Sequence, residues 1–445
     1  MREFTKLILL ALILPTGLAL TSSAQAGDDM PSPEPASRSP LSLEHCVALA
    51  LENHPALRGA TYDVEAARAG VGIARASALP QVGLSGSYIQ REGTLGASGG
   101  DASPEGYSAA LSVRQLLFDS GRTTALIREA KLGASAALAT RDEVEQAVVF
   151  GARQTYFGVL AAEQVLEAQT QARDLSALHL KVAQARYQEG IAPKADVTKT
   201  EVELANAELD LIRAQSGVSL AYAALSNALG LPATTSLTVT GDLQSPGAQP
   251  ALETSLTFAY QNRPELKRAD ASLQAARSAI AVAASGTRPS IHATASTNWL
   301  DNSAVSDSGY AAGVALSFPL WDGGGTAARA RQARAEVASS QAASDNAKQE
   351  VGMEVQQAYL NVVEADQRVA TAEKLVAQAE ENHRIAQGRY EGGVGPMIDV
   401  VDAQTALTAA RTSYAQARYD AHVSRARLDL AAGRRFRPQG AIREK

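Results

Sequence analysis

The chain has 445 residues, enough for two or three ordinary domains. It is 45% hydrophobic but only 5% aromatic, so its apolar mass is mostly Ala, Val and Leu, which suits close helix packing better than one thick globular core. A formal charge of −6 disfavours nucleic acid as a partner, and a single cysteine, Cys46, excludes an intrachain disulfide.

Residues 1–26 read as a secretory signal peptide. Arg2 and Lys6 precede an apolar run from Leu7 to Leu20, and Ala24-Gln25-Ala26 supplies a cleavage site. Residue 27 is Gly, not Cys, so this signal would not yield a lipid-anchored protein. The signal carries +1 (Arg2 and Lys6 against Glu3), which leaves the remainder near −7. Beyond it no apolar run approaches the ~20 residues that a membrane helix needs, so entry into a membrane would require a β-barrel.

Residues 27–40 form a polar, proline-rich, flexible leader. A short amphipathic helix follows over Leu41–Asn53, with Cys46 as a small packed residue. Pro55 opens a second helix that ends near Ala78, before Pro80. The period then changes to two. Val82, Leu84, Gly86 and Tyr88 alternate with Gly83, Ser85 and Ser87, which predicts a strand over 81–90. A Gly/Ser-rich loop, 91–106, leads to a second strand in which Tyr107, Ala109, Leu111 and Val113 oppose Ser108, Ala110, Ser112 and Arg114. After Phe118-Asp119-Ser120-Gly121 a proline-free helical run continues from Thr123 to Gln188, ~100 Å at 1.5 Å per residue.

A tip follows: Arg186-Tyr187, then Gly190, Pro193 and Asp196. The next helix runs from about Lys194 to Ala228. Gly permits the left-handed residue that ends a helix, and Pro tolerates the first turn of the next. Residues 231–254 read as a linker joining a first structural repeat, 41–230, to a second, 255–434; a basic tail, 435–445, closes the chain. The second half repeats the order of the first. Asn262-Arg263-Pro264 matches Asn53-His54-Pro55 at an offset of 209, and the tip recurs at 203 as Tyr390, Gly393, Pro396 and Asp399. Two further strands alternate about Ile291–Trp299 and Tyr310–Phe318. In the second long helix a seam at Val351, Val355, Ala358, Val362, Ala365, Val369, Ala372, Val376, Ala379, His383, Ala386 and Tyr390 steps by four and three, the coiled-coil period. Near-identical tips on a duplicated hairpin point to a docking or gating end.

Each strand has the length that crosses a bilayer when tilted. Tyr88, Tyr107, Trp299 and Tyr310 flank the strand loops, and Phe118, Phe318 and Trp321 lie at the opposite ends. Two aromatic levels about a small and aliphatic band form the girdle pattern of a membrane barrel. Four strands cannot close one, so the barrel must be shared: a dimer would supply eight strands and a trimer twelve. The inward residues are small and polar, which favours a water-filled pore.

The chain resembles the TolC-type outer-membrane efflux proteins over nearly its whole length beyond the signal. The motifs that carry this are Leu41-Ser-Leu-Glu with Ala50-Leu-Glu-Asn-His-Pro55, and above all Gly393-Val-Gly-Pro-Met-Ile-Asp-Val-Val-Asp-Ala403. The resemblance implies an α+β membrane protein and a homotrimer. A twelve-stranded barrel in the outer membrane would be continued by a helical tunnel through the periplasm. The implied partners are a periplasmic adaptor and an inner-membrane pump or ABC exporter, for efflux or type I secretion. It further implies a periplasmic gate lined by Asp399 and Asp402, with Tyr390 bonded to Asp196, while Gly190, Pro193, Gly393 and Pro396 shape the docking tips. Gly395 stands where the family prototype has an arginine. From the residues alone, Asp399 and Asp402 are also acids suited to a helix N-terminus.

An enzyme is not expected. The six histidines show no metal spacing, the Gly323-Gly324-Gly325 run lacks the Lys of a phosphate-binding loop, and no cofactor site is recognisable. A periplasmic coiled-coil adaptor or structural protein without a pore is the competing function, and the sequence leaves the cargo open.

Overall fold

The computed structural model describes residues 40–89, 106–243, 250–302 and 306–436. The signal peptide, all of the leader except Pro40, most of the first strand loop and the tail beyond 436 lie outside the described residues.

Helix α1, Leu43–Asn53, starts at Ser42, whose Oγ accepts from the His45 N–H at 3.4 Å. Pro55 opens α2, Pro55–Ala76, where its missing N–H costs nothing. Strands β1, Gln81–Ile89, and β2, Gly106–Phe118, lead into α3, Arg122–Gln188, and α4, Lys194–Ala228. Helices α5, Leu252–Asn262, and α6, Pro264–Ala283, precede strands β3, Ser290–Asn302, and β4, Ser306–Ser317. The described chain ends with α7, Gly325–Glu391, and α8, Met397–Ala431. No described helix is long and apolar enough to cross a membrane.

The helices α3 and α7 both have 67 residues, and α4 and α8 both have 35. Near the strands the neighbours are α2 on α3, α3 on α6 and α6 on α7; toward the tips they are α4 on α3, α3 on α8 and α8 on α7. This narrow layer has no thick core. Its apolar contacts form several small clusters instead. The largest gathers Cys46, Val148, Tyr156, Leu160, Leu225 and Leu243 around α1, and burial pushes the Cys46 thiol up to about 12, which keeps it inert. Along α7 the seam positions are buried as its period predicts, except that Val369 and Val376 are half-buried.

The segment after α4 is anchored. Leu41 donates to Thr238 O at 2.8 Å, Thr240 returns a bond to Leu41 O at 3.0 Å, and Leu243 is fully buried. The end of α4 presses on the corner between α1 and α2. Gly230 has φ +72°, and a Cβ there would lie 2.8 Å from the Asn53 carbonyl and 2.9 Å from the His54 Cα. Gly190 has φ +78° but open space around it.

These two glycines make a controlled pair. Gly190→Ala should cost about 1–2 kcal/mol for left-handed backbone, whereas Gly230→Ala should add about 1–3 kcal/mol of overpacking. Thermal unfolding followed by circular dichroism should show the larger drop in Tm for Gly230→Ala. Equal drops would mean that the corner does not constrain the fold.

Candidate functional site

Both tips are Schellman turns, in which left-handed Gly satisfies the last helical carbonyls. In the first, Gly190 N–H donates to Tyr187 O at 3.0 Å and Ile191 N–H to Arg186 O at 2.9 Å. In the second, Gly393 donates to Tyr390 O at 3.1 Å and Val394 to Arg389 O at 2.9 Å. Pro193 and Pro396 then hold extended backbone immediately before α4 and α8. Ile191 and Val394, one residue past each glycine, are left exposed.

The two tips meet through Arg186, a residue the sequence pattern did not single out. Its guanidinium donates to Tyr390 O at 3.0 Å and Glu391 O at 3.3 Å, at the carbonyl end of α7. It also stacks 4.3 Å from the centre of the Tyr390 ring. Tyr390 is buried against Ala386, Met397, Val400 and Ala403, and its hydroxyl has no hydrogen-bond partner among the described residues. The expected bond from Tyr390 to Asp196 is therefore not formed within one chain. Asp196 and Asp399 are half-buried in the first turns of α4 and α8, and Asp402 is exposed one turn along α8. Arg389 approaches Asp399 at 3.9 Å, too far for a hydrogen bond and too exposed to contribute much.

Farther from the tips, α3 and α7 bring two buried imidazoles together. His179 and His383 are 7% and 9% exposed, with ring centres 6.3 Å apart. Burial holds both below the ordinary imidazole range, helped by charge repulsion from His383 on His179 and from Arg411 on His383. Glu203 on α4 accepts from the Ser176 hydroxyl at 3.1 Å. Burial raises its pKa, the Ser176 bond partly offsets this, and Asp402 raises it further.

The strands form one antiparallel sheet in the order β1-β2-β3-β4. Residues directly opposite share a face, so the register sorts every side chain. One face carries Val82, Leu84 and Tyr88, then Tyr107, Leu111 and Val113, then Ala295 and Trp299, then Tyr310, Val314 and Leu316. The other carries Ser85, Ser87, Ser108, Ser112, Arg114, Thr294, Ser296, Asn298 and Gly313. Both faces are largely open to solvent in the single chain, with Tyr310 91% and Leu84 77% exposed. Tyr88 and Tyr107 pair across strands with ring centres 4.9 Å apart.

Phe118 has the even parity of the polar face of β2. A bulge at Leu117 reverses it: Leu116 opposes His292, yet Phe118 opposes Ile291. This places Phe118 on the apolar face at the helix end of the sheet. Phe318 and Trp321 lie beyond the end of β4, 53% and 85% exposed.

A sheet with an aromatic-rimmed apolar face, carried at one end of two long helical hairpins, is the architecture of an outer-membrane efflux protein. The sequence profile described as Outer membrane efflux protein matches residues 46–231 and 256–434, and the chain belongs to that family of outer-membrane proteins. Protein CyaE of Bordetella pertussis (strain Tohama I) is 30% identical over 411 residues, covering 89% of this chain and 85% of that protein. Outer membrane protein TolC of Escherichia coli (strain K12) is 24% identical over 398 residues, covering 86% and 80%. Among solved structures, CusC superimposes with a TM-score of 0.79 at 21% identity, covering 88% of this chain and 92% of that one, and so has the same fold.

The histidine pair sets a pH dependence. A lowered folded pKa means that stability is present above the ordinary imidazole range and lost as pH falls through the folded values. Glu203 works the other way: its raised pKa means that stability is present at low pH and lost as pH rises through the folded value. In the variant Glu203→Gln, hydrogen exchange of residues 176–183 and 379–386, corrected for intrinsic rates, should accelerate on going from neutral to acid pH. Adding His179→Gln and His383→Gln should remove that acceleration; its persistence would assign the effect elsewhere.

Proposed function

We propose that three copies of this chain form an outer-membrane channel continued by a periplasmic helical tunnel, which carries solutes outward from an adaptor and an energised inner-membrane pump or ABC exporter. The observation that carries the reading is the sheet. Its strands of 9, 13, 13 and 12 residues match or exceed the span of a tilted membrane strand. Both edge strands, β1 and β4, have one side unpaired among the described residues. Lipid does not tolerate such edges. Pairing β4 of one copy with β1 of the next satisfies them, and three copies give twelve strands, with the Ser- and Gly-rich face lining a pore. The equal lengths of paired helices and the matched tip turns support a duplicated unit within each copy.

At the other end, Asp399 and Asp402 ring the narrow periplasmic opening in this reading. Like charges around one axis repel, raise proton affinity and attract cations. The exposed Ile191 and Val394 crown the tips that would meet the adaptor. Arg186 joins the two tips of one copy, and a bond from the buried Tyr390 hydroxyl to Asp196 would require the tip to rearrange on assembly. The family supports efflux, and the same architecture also serves type I secretion.

Mass measurement of detergent-purified protein should give three chains; a soluble elongated monomer would favour the adaptor reading. Arg in place of Leu111 or Val314 should cost roughly 2–4 kcal/mol and lower the yield of trimer, while Arg at Ser112 or Ala315 is tolerated better. Equal damage at both pairs would overturn the assignment of faces.

Single-channel recordings test the gate. Asp399→Ala with Asp402→Ala should weaken cation preference and block by multivalent cations. Arg186→Gln, which removes charged hydrogen bonds worth about 1–3 kcal/mol, should raise conductance. A rise in Tyr390→Phe as well would show that Tyr390 engages Asp196 in the assembled trimer. Full cation selectivity in the double alanine variant would return both aspartates to the role of helix-start residues.

A further inference from the structure

At the end of the sheet opposite the strand loops, the chain forms an open-sided cavity of about 510 Å³ between the strands and the starts of the long helices. Each strand contributes to it from the same face: Gln81, Arg114, His292 and Ser317. Gln81 opposes Arg114, Arg114 opposes Thr294, and the other two follow by alternation, so all four share the polar face. The lower wall comes from both halves of the chain. The Ser120 hydroxyl donates to Pro289 O at 2.8 Å across that wall and ties the β2–α3 turn to the segment before β3.

The lining is basic. Arg114, Arg122, Arg288 and Arg329 face it together with a single carboxylate, that of Asp119. Asp119 is already engaged: its two oxygens accept from the N–H groups of Gly121 at 3.2 Å and Thr123 at 2.7 Å, capping α3. Arg329 is held by Asp322 at 3.1 Å. Arg114, Arg122 and Arg288 make no ion pair with any described residue. Three arginines that make no ion pair with any described residue thus line one concave space, with His292 in its wall.

We propose that this cavity is an oxyanion site that takes the phosphate or carboxylate groups of a solute. Guanidinium groups bind such oxygens in bidentate fashion, and a concave basic wall concentrates anions from solution. A solute rather than a lipid headgroup is the source, because the lining residues occupy the face opposite Leu84, Leu111 and Val314. The binding site stands on the single chain. Only its position inside the conduction path rests on the channel reading above, where it makes a basic collar between the barrel and the tunnel, opposite in sign to the acidic tips.

Titration calorimetry of the purified full-length protein with inorganic tripolyphosphate tests the site without requiring conduction. Arg114→Gln with Arg288→Gln should weaken binding at least tenfold and flatten its salt dependence, while Arg58→Gln with Arg68→Gln, the same charge change on exposed α2, should leave it intact. No binding to the unmodified protein, or equal losses in the two double variants, would overturn the site. Both proteins should first show the same circular dichroism and Tm; if the Gln pair does not, Arg114→Lys with Arg288→Lys keeps the charge and should retain more than half of the binding energy, and loss of binding despite a native Tm would overturn the site. In bilayer recordings tripolyphosphate should reduce current from the extracellular side, and less so in the Gln pair. A reduction that instead requires phosphatidylglycerol in the bilayer and no tripolyphosphate would overturn the assignment to a solute. A protein that binds tripolyphosphate but never conducts would sink the channel reading and leave the site standing.

Discussion

Small apolar residues set four and three apart along α7 hold the helical part of the molecule together. A helix of 67 residues, ~100 Å long, cannot be wrapped by a core; it has only a narrow stripe to bury. Val and Ala at Val351, Val355, Ala358, Val362 and Ala365 let neighbouring axes approach closely. Helix α8 answers with Val400, Ala403, Leu407 and Ala410. The seam reaches the second tip directly, through the cluster of Ala386, Tyr390, Met397, Val400 and Ala403.

Positions 203 or 209 apart share backbone, and at the helix corners and tips they differ in polar chemistry. Gly230 and Gly433, with φ +72° and +71°, both press on the corner of a helix pair. At the first corner, His54 accepts from the Ala56 N–H at 3.2 Å. At the second, the buried Arg263 donates to Ala431 O at 3.1 Å and pairs with Glu265 and Glu354 at 2.8 and 2.7 Å. Likewise Arg186 crosses to the other tip, while Arg389 stays near Asp399 in its own. The shared backbone sets where the turns fall, and the differing side chains decide which of them become joints.

Charge is distributed along the long axis in a matching way. The acids Glu203, Asp399 and Asp402 lie toward the tips, and Arg114, Arg122 and Arg288, which have no ion-pair partner among the described residues, lie where the strands meet the helices. In the proposed channel, a solute would meet a negative constriction first and a basic collar afterwards. Fields of opposite sign at two levels act on different groups of one molecule, so selection need not depend on a tight pocket anywhere along the path.

Periodicity and punctuation alone determined most of the helices, the strands, the tips and the α7 seam, because each depends on residues within a few positions of one another; α5, which starts at Leu252, began inside the segment read as a linker. Alternation in β1 and β2 also assigned Leu84 and Leu111 to one face and Ser85 and Ser112 to the other. Other features depend on pairing between distant segments, and the tertiary structure alone decided them. The bulge at Leu117 moved Phe118 to the apolar face against the parity of its strand, because β3 supplies one residue where β2 supplies two. Arg186 and Tyr390 meet only once α3 and α7 end at the same level, and His179 and His383 become a buried pair only when those helices lie side by side. The basic cavity needs all four strands and four helix ends at once. Local physics can be read from neighbours in the chain; the polar contacts that join segments some two hundred residues apart are set by how the helices pack.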